Sequence, residues 1–134
     1  MIIKELPQND FEEAKKLYCE SFHKPYQKTT IKLLGKIIGL YLNDTLIGIA
    51  QIDYINNVFE NKRIAHINSF CIKEEYRHQG YGNKLLKACT EIIEKENGNM
   101  INMTSNKNRV YAHMLYQKNN FEPIDTILLK KDLN

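Results

Sequence analysis

Arg77-His78-Gln79-Gly80-Tyr81-Gly82 stands where the hydrophobic period of the chain changes from that of a strand to that of a helix. Before it, Ile64, His66, Asn68, Phe70 and Ile72 alternate with Ala65, Ile67, Ser69 and Cys71, the two-residue period of a pleated strand over Arg63–Lys73. After it, Leu85, Leu86, Cys89, Ile92 and Ile93 fall on one helical stripe between Tyr81 and Asn97, and Gly98 supplies a stop. Glycine at such a junction lets the backbone adopt positive φ and approach a ligand closely. The first N–H groups of a helix lack partners within it and lie at the positive end of its dipole, which suits a pyrophosphate. Gly80 and Gly82 taken alone are equally compatible with a tight strand-to-helix turn.

Two other phosphate-binding motifs fail. A P-loop needs GxxxxGK followed by Ser or Thr, which is absent, and a dinucleotide fingerprint needs a third glycine where Leu85 stands. The preceding strands also form a meander and not a βαβ unit. Working outward from the junction, Lys36–Leu42 and Leu46–Ile55 read as strands flanking the hairpin connection Asn43-Asp44-Thr45. A second polar turn, Asn56 to Lys62, leads into Arg63–Lys73. Nearer the start, Ile2–Leu6 reads as a strand stopped by Pro7. Asp10 and Glu13 have capping-box spacing ahead of a helix that places Phe11, Ala14, Leu17, Tyr18 and Phe22 on one face. Pro25 interrupts, and residues 27–35 read as a second, weaker helix. Downstream, Asn99–Thr104 reads as a strand and Asn108–Asn119 as a helix with Val110, Tyr111, Met114 and Leu115 on its apolar side. Phe121–Lys131 supplies the last one or two strands.

The order β-α-α-β-β-β-α-β-α-β predicts one mixed α/β domain over residues 1–134, a mostly antiparallel sheet of about six or seven strands flanked by about four helices. With 43% hydrophobic and 26% charged residues, the composition is that of an ordinary globular chain. No apolar run approaches the roughly 20 residues that span a bilayer. The N-terminus lacks the apolar stretch and small-residue cleavage site of a secretion signal, which predicts a cytoplasmic protein without membrane partners. A net charge of +3, with 19 basic residues among 16 acidic ones, argues against a nucleic-acid partner. Cys19, Cys71 and Cys89 have no paired spacing, which fits reduced thiols and neither a disulfide frame nor a metal site.

The junction resembles the Gln/Arg-x-x-Gly-x-Gly/Ala motif of the GNAT superfamily of N-acetyltransferases. There it lies between the fourth strand and the following helix. The preceding Phe70-Cys71-Ile72-Lys73-Glu74-Glu75-Tyr76 is similar to the family's strand end and acidic turn. Ala112-His113-Met114-Leu115-Tyr116-Gln117-Lys118-Asn119-Asn120-Phe121 is similar to a second segment, Ala-x-x-x-Tyr-Glu-Lys-x-Gly-Phe. Both motifs stand in family order, and the element order covers nearly the whole chain. Asn120 replaces a usual glycine, and asparagine tolerates the left-handed conformation better than most residues. Asn68 stands where many members carry a glutamate, which leaves the usual general base unassigned.

The resemblance implies an acetyl-CoA-dependent enzyme whose sheet splays between its fourth and fifth strands. It implies that the coenzyme arm lies along the backbone of Phe70, Cys71 and Ile72. The Arg77, His78, Gln79, Gly80, Tyr81, Gly82 and Asn83 turn then holds the pyrophosphate, and Asn108 joins the coenzyme contacts. An amine attacks the thioester directly, and a backbone N–H near Cys71 stabilises the oxyanion. Tyr116 matches the family's general acid, a phenol that stays protonated at neutral pH. His66, sharing a strand face with Asn68, is a candidate base, with Asp53 a second. The expected acceptor is an amine on a small molecule, peptide or protein, and no metal is expected. Free strand edges leave a homodimer open. A non-catalytic acetyl-CoA sensor is the alternative reading.

Overall fold

The computed structural model describes residues 1–133. Strand β1 (Ile2–Glu5) and helix α1 (Phe11–Phe22) precede three consecutive strands, β2 (Lys36–Leu42), β3 (Thr45–Asn57) and β4 (Lys62–Ile72), and helix α2 (Tyr81–Lys95), strand β5 (Met100–Asn102) and helix α3 (Val110–Lys118) follow. They form one five-stranded sheet in the order β1-β2-β3-β4-β5. The first three pairings are antiparallel, and β5 lies parallel to β4. Asn43 and Asp44 take φ of 47° and 66°, the two positive values of a tight hairpin turn whose twist matches its strands.

The sheet has a core on each face. On one, Leu85, Leu86, Cys89 and Ile93 of α2 pack on Ile38, Leu40, Ile52, Ala65 and Ile67. On the other, Ala14 and Leu17 of α1 cover Ile49 and Cys71. The stripe on α2 was readable from its spacing, and each of its large apolar side chains contributes about 1.5–3 kcal/mol by leaving water.

Asparagine closes both later helices. Asn97 (φ 67°) follows α2, with Gly98 N–H donating to Ile93 O at 2.8 Å and Asn97 N–H to Glu94 O at 3.1 Å. Asn120 (φ 69°) follows α3, with Phe121 N–H donating to Tyr116 O and Asn120 N–H to Gln117 O, each at 3.0 Å. These are paired Schellman closures, and Phe121 completes the second by packing on Tyr116 at 6.2 Å between ring centroids. The helix end expected at Asn120 is therefore kept. The stop after α2 comes from Asn97 and not from Gly98. Gly98 is instead small because a Cβ there would run into Ile93.

Several expectations are corrected. Residues 27–35 form no helix: Thr29, Thr30 and Ile31 are β-branched, no cap precedes them, and the segment is held only by contacts such as Lys15 Nζ to Thr29 Oγ1 at 2.7 Å. Phe121–Lys131 forms no strand among the described residues; Pro123 opens the segment, and Ile127, Leu128 and Leu129 run consecutively instead of alternating. The sheet therefore has five strands, not six or seven, and three α-helices flank it, not four. Asp10 makes no capping bond; its carboxylate accepts from the Tyr41 hydroxyl at 2.6 Å. On α3 the expected apolar side is turned to solvent at Val110, Tyr111 and Met114, while Leu115 is half-buried and Tyr116 is buried.

Candidate functional site

The turn between β4 and α2 is built to leave its amides free. His78 and Gly80 both take left-handed backbone, with φ of 61° and 88°. Gly80 caps α2 without any side-chain bond, and Lys84 N–H makes the first bond back to Gly80 O at 3.2 Å. The backbone N–H groups of His78 through Asn83 donate to no protein acceptor among the described residues. Side chains keep clear of the opening. Arg77 turns inward, Nε donating to Ile72 O at 2.7 Å, and Gln79 Nε2 donates to Glu75 O at 3.2 Å. His78 stands edge-on to Tyr111, Tyr81 edge-on to Tyr76, and Asn83 Oδ1 accepts from Asn119 Nδ2 at 2.9 Å. The two glycines serve different ends. A Cβ on Gly80 would meet nothing within 4 Å, so its need is for positive φ; one on Gly82 would stand 3.1 Å from Leu115 Cδ2, a close contact that this mobile side-chain end relieves by a small shift.

Strand β4 changes phase just before this turn. Gln51 pairs with Asn68 and Ile49 with Cys71, so Ser69 and Phe70 together face Ala50. That is a β-bulge, with Ser69 at φ 56°. It interrupts the alternation expected through the strand: Ala65 and Ile67 are followed on the α2 face by Phe70 and Ile72, whereas Cys71 faces α1. Beyond His66, which pairs with Asn102, β4 has no β5 neighbour. Its last residues thus run on without a fifth-strand partner.

Tyr116 packs against this end of β4. Its ring meets Phe70 edge-on with centroids 6.0 Å apart, and burial holds its phenol above the ordinary value, opposed by the nearby Arg109 guanidinium. The Cys71 thiol is likewise raised by burial, against the pull of Ser21, Arg77 and Arg109. A buried thiol held protonated is a poor nucleophile. Cys89, in the α2 core, is pushed up to about 12 by burial alone. Arg109 was not legible as a site residue. It stands at the start of α3, where a cation opposes the helix dipole, and that misfit was the available signal. Its guanidinium lies 5.2 Å from the Phe22 ring centroid, linking α1 to α3.

The α1 face carries a polar network. Asp53 Oδ2 accepts from Gln51 Nε2 at 2.9 Å and from Asn68 Nδ2 at 3.1 Å, and Ser69 Oγ donates to Asn68 Oδ1 at 3.0 Å. His66 pairs across the sheet with Asp53, and its Nδ1 lies 2.6 Å from Asn102 Oδ1. Assigning that bond to an Nδ1–H leaves Nε2 as the proton acceptor. Ser69 and Gln51 also line a groove of about 550 Å³ between α1, residues 24–33 and the sheet. His66 and Tyr116 are not brought together. They lie on opposite faces, and His66 is about 13 Å along β4 from Phe70 at about 3.3 Å per residue. Asn108 is exposed, and its N–H is bound to Asn106 Oδ1 at 2.9 Å. Among the described residues no group of three or more His, Cys, Asp or Glu is placed to hold a metal ion, and no helix is long and apolar enough to cross a membrane.

Comparison with known proteins places this geometry. Residues 34–123 match the family model described as an acetyltransferase (GNAT) domain. No curated protein matches the sequence. Among solved structures, an aminoglycoside acetyltransferase from an uncultured soil metagenomic sample, seen with trehalose and with sisomicin, superposes with a TM-score of 0.87 at 17% identity over 99% of this chain and 96% of that one. A predicted acetyltransferase from Clostridium acetobutylicum, solved with acetyl-CoA, superposes with a TM-score of 0.77 at 15% identity over 97% of this chain and 95% of that one.

Proposed function

The chain belongs to the GNAT acetyltransferase family, and on that premise we propose that it moves an acetyl group from acetyl-CoA to a primary amine held in the groove beside α1. The observation that carries this reading is the run of unpartnered amides from His78 to Asn83 at the start of α2. Unpaired amides at the positive end of a helix are suited to phosphate oxygens, and a pyrophosphate offers several. The residues fit the coenzyme in a second respect: the end of β4, at Phe70, Cys71 and Ile72, has no β5 residue paired to it, which leaves that strand edge for an extended arm to lie along. Acetyl-CoA supplies a thioester, an activated acyl group with a thiolate leaving group.

The protein's own share is positioning and proton transfer. Tyr116, buried against Phe70 with its phenol held protonated, donates to the leaving sulfur. The ammonium of the acceptor must lose a proton first. Asp53, reached from the groove wall through Gln51, Asn68 and Ser69, takes it through water, with His66 beside it as the second acceptor. A backbone N–H near Cys71 answers the oxyanion that forms at the acetyl carbonyl. Cys71 itself carries no acetyl group.

The test is coenzyme release from acetyl-CoA with a panel of primary amines, followed by mass analysis of the product. Release with an N-acetylated product supports the proposal. A second reading, a sensor that binds acetyl-CoA without turnover, draws on Asn68, whose amide is already committed to Asp53 and Ser69. Saturable acetyl-CoA binding with no release across the panel would establish the sensor instead.

A further inference from the structure

The groove beside α1 has one sign of charge. Lys15, Lys24, Lys28 and Lys32 line it, and no aspartate or glutamate does. Two carboxylates stand behind the lining and not in it: Glu12 Oε2 accepts from the Tyr26 hydroxyl at 3.3 Å, and Asp53 lies behind Gln51 at the end of the groove away from Lys24, Lys28 and Lys32. Lys15 is fixed by Thr29 Oγ1 and lies over the Tyr26 ring at 4.3 Å, so the coil bearing Lys24, Lys28 and Lys32 is tied to α1 by a cation without a counter-ion. None of the residues Arg77 to Asn83 contributes to this groove. The lysines are therefore not the partners of the phosphate turn. The rest of the wall is largely apolar, with Phe11, Ile31, Leu33 and Ile49 among it.

We infer that the acceptor is an amine that also carries an anionic group, a carboxylate or a phosphate, on a partly apolar body. This rests on the proposed acetyl transfer and narrows it. A cleft of one charge sign concentrates the opposite charge and repels its own, so polycationic amines are the disfavoured acceptors. The polar end of the groove, at Gln51 and Ser69, lies beside the bulge of β4 and the thioester end of the bound coenzyme. The amine points there, and the anionic group lies back among Lys24, Lys28 and Lys32.

The experiment compares matched amines: L-phenylalanine with L-phenylalaninamide, O-phosphoethanolamine with ethanolamine, and spermidine as the polycation. Coenzyme release and equilibrium binding are both read for each, in the native chain and in the double variant Lys28→Gln, Lys32→Gln. Both lysines are exposed, so the fold is expected to survive. At least one acid is expected to exceed its neutral partner in kcat/KM by about tenfold or more, a preference that shrinks with added salt and collapses toward unity in the double variant. Which pair shows it tells carboxylate from phosphate. Neutral amines or spermidine turned over as well as the acids overturn the inference while leaving acetyl transfer intact. If no amine releases coenzyme, acetyl transfer fails and binding decides. Tighter binding of an acid than of its neutral partner, lost in the double variant, upholds the charged groove; equal binding, or none, overturns it.

Discussion

Replacing Gly80 by alanine separates the two uses of glycine in the turn before α2. The position takes φ of 88°, and an added Cβ would find nothing within 4 Å. Sterics with the rest of the protein therefore contribute nothing. What remains is the cost of holding an L-residue in the left-handed region, about 1–2 kcal/mol. With open space around it, the free turn relaxes toward negative φ and evades that cost, rotating its amides out of alignment. Binding a pyrophosphate then has to restore the strained form. The cost appears in affinity, about 5- to 30-fold in the Kd of acetyl-CoA at 1.4 kcal/mol per decade. Urea unfolding of the free protein should change by less than about 1 kcal/mol, because alanine also restricts the unfolded chain by about 0.4–1 kcal/mol. Gly82→Ala is the control. It gains about 1 kcal/mol of helix propensity and presses on Leu115 Cδ2, the mobile end of a side chain, so both stability and affinity should move little. Calorimetric titration with acetyl-CoA measures both variants. An unchanged Kd in Gly80→Ala, or an equal loss in Gly82→Ala, refutes the assignment of the left-handed turn to phosphate binding.

Other outcomes are expected. Tyr116→Phe should lower turnover at least about tenfold, the scale of a lost general acid, with acetyl-CoA affinity nearly unchanged; a wild-type rate removes the assignment. Asp53→Asn should lower kcat/KM at least about tenfold with acetyl-CoA affinity nearly unchanged, whereas a wild-type value excludes Asp53 as the proton acceptor. Asn120→Ala should destabilise by about 1 kcal/mol and Asn120→Gly should not, since the left-handed closure of α3 suits glycine; thermal unfolding of the pair checks it. Glu96 is held below its ordinary value by hydrogen bonds from Lys36 and from Tyr54, the latter at 2.6 Å. A depressed carboxyl stabilises above its unfolded value and loses that contribution as pH falls through its folded value. Glu96→Gln should thus be less stable than wild type at neutral pH, with the gap closing in acid; for a partly exposed pair it is about 1 kcal/mol at most. A gap independent of pH would mean packing, not charge.

Where the sequence was readable, local chemistry and tertiary packing agree. The stripe Leu85, Leu86, Cys89, Ile93 has a helical period and a sheet to cover, and the hairpin at Asn43-Asp44 has residues that tolerate its backbone. The turn before α2 was legible to the same degree, since Gly80 takes the left-handed backbone that glycine suits. Misreadings fall where a non-local event decides. Alternation through β4 placed Phe70 with His66, but the extra residue at Ser69 sent Phe70 to the other face, and nothing in the local pattern marks that insertion. Phe121–Lys131 has strand-forming residues and no strand beside it, which composition along the chain does not reveal. Arg109 acts across space on Tyr116 and Phe22, a relation that no spacing encodes.

The bulge at Ser69 has a consequence for how the strand tolerates change. Straightening the strand with Ser69 kept in the regular ladder would exchange inside and outside for everything after it, turning Phe70 toward α1 and Cys71 into the α2 core, whereas deleting Ser69 would leave both faces as they are. Before the bulge and after it, the same odd-numbered positions answer to opposite masters. Substitutions at Ala65, Ile67 and Phe70 are judged by how α2 packs, while those at Asn68 and Cys71 are judged by the Asp53 network and by how α1 packs. A single inserted residue thus changes which helix each parity of position answers to, while the core on both faces stays filled.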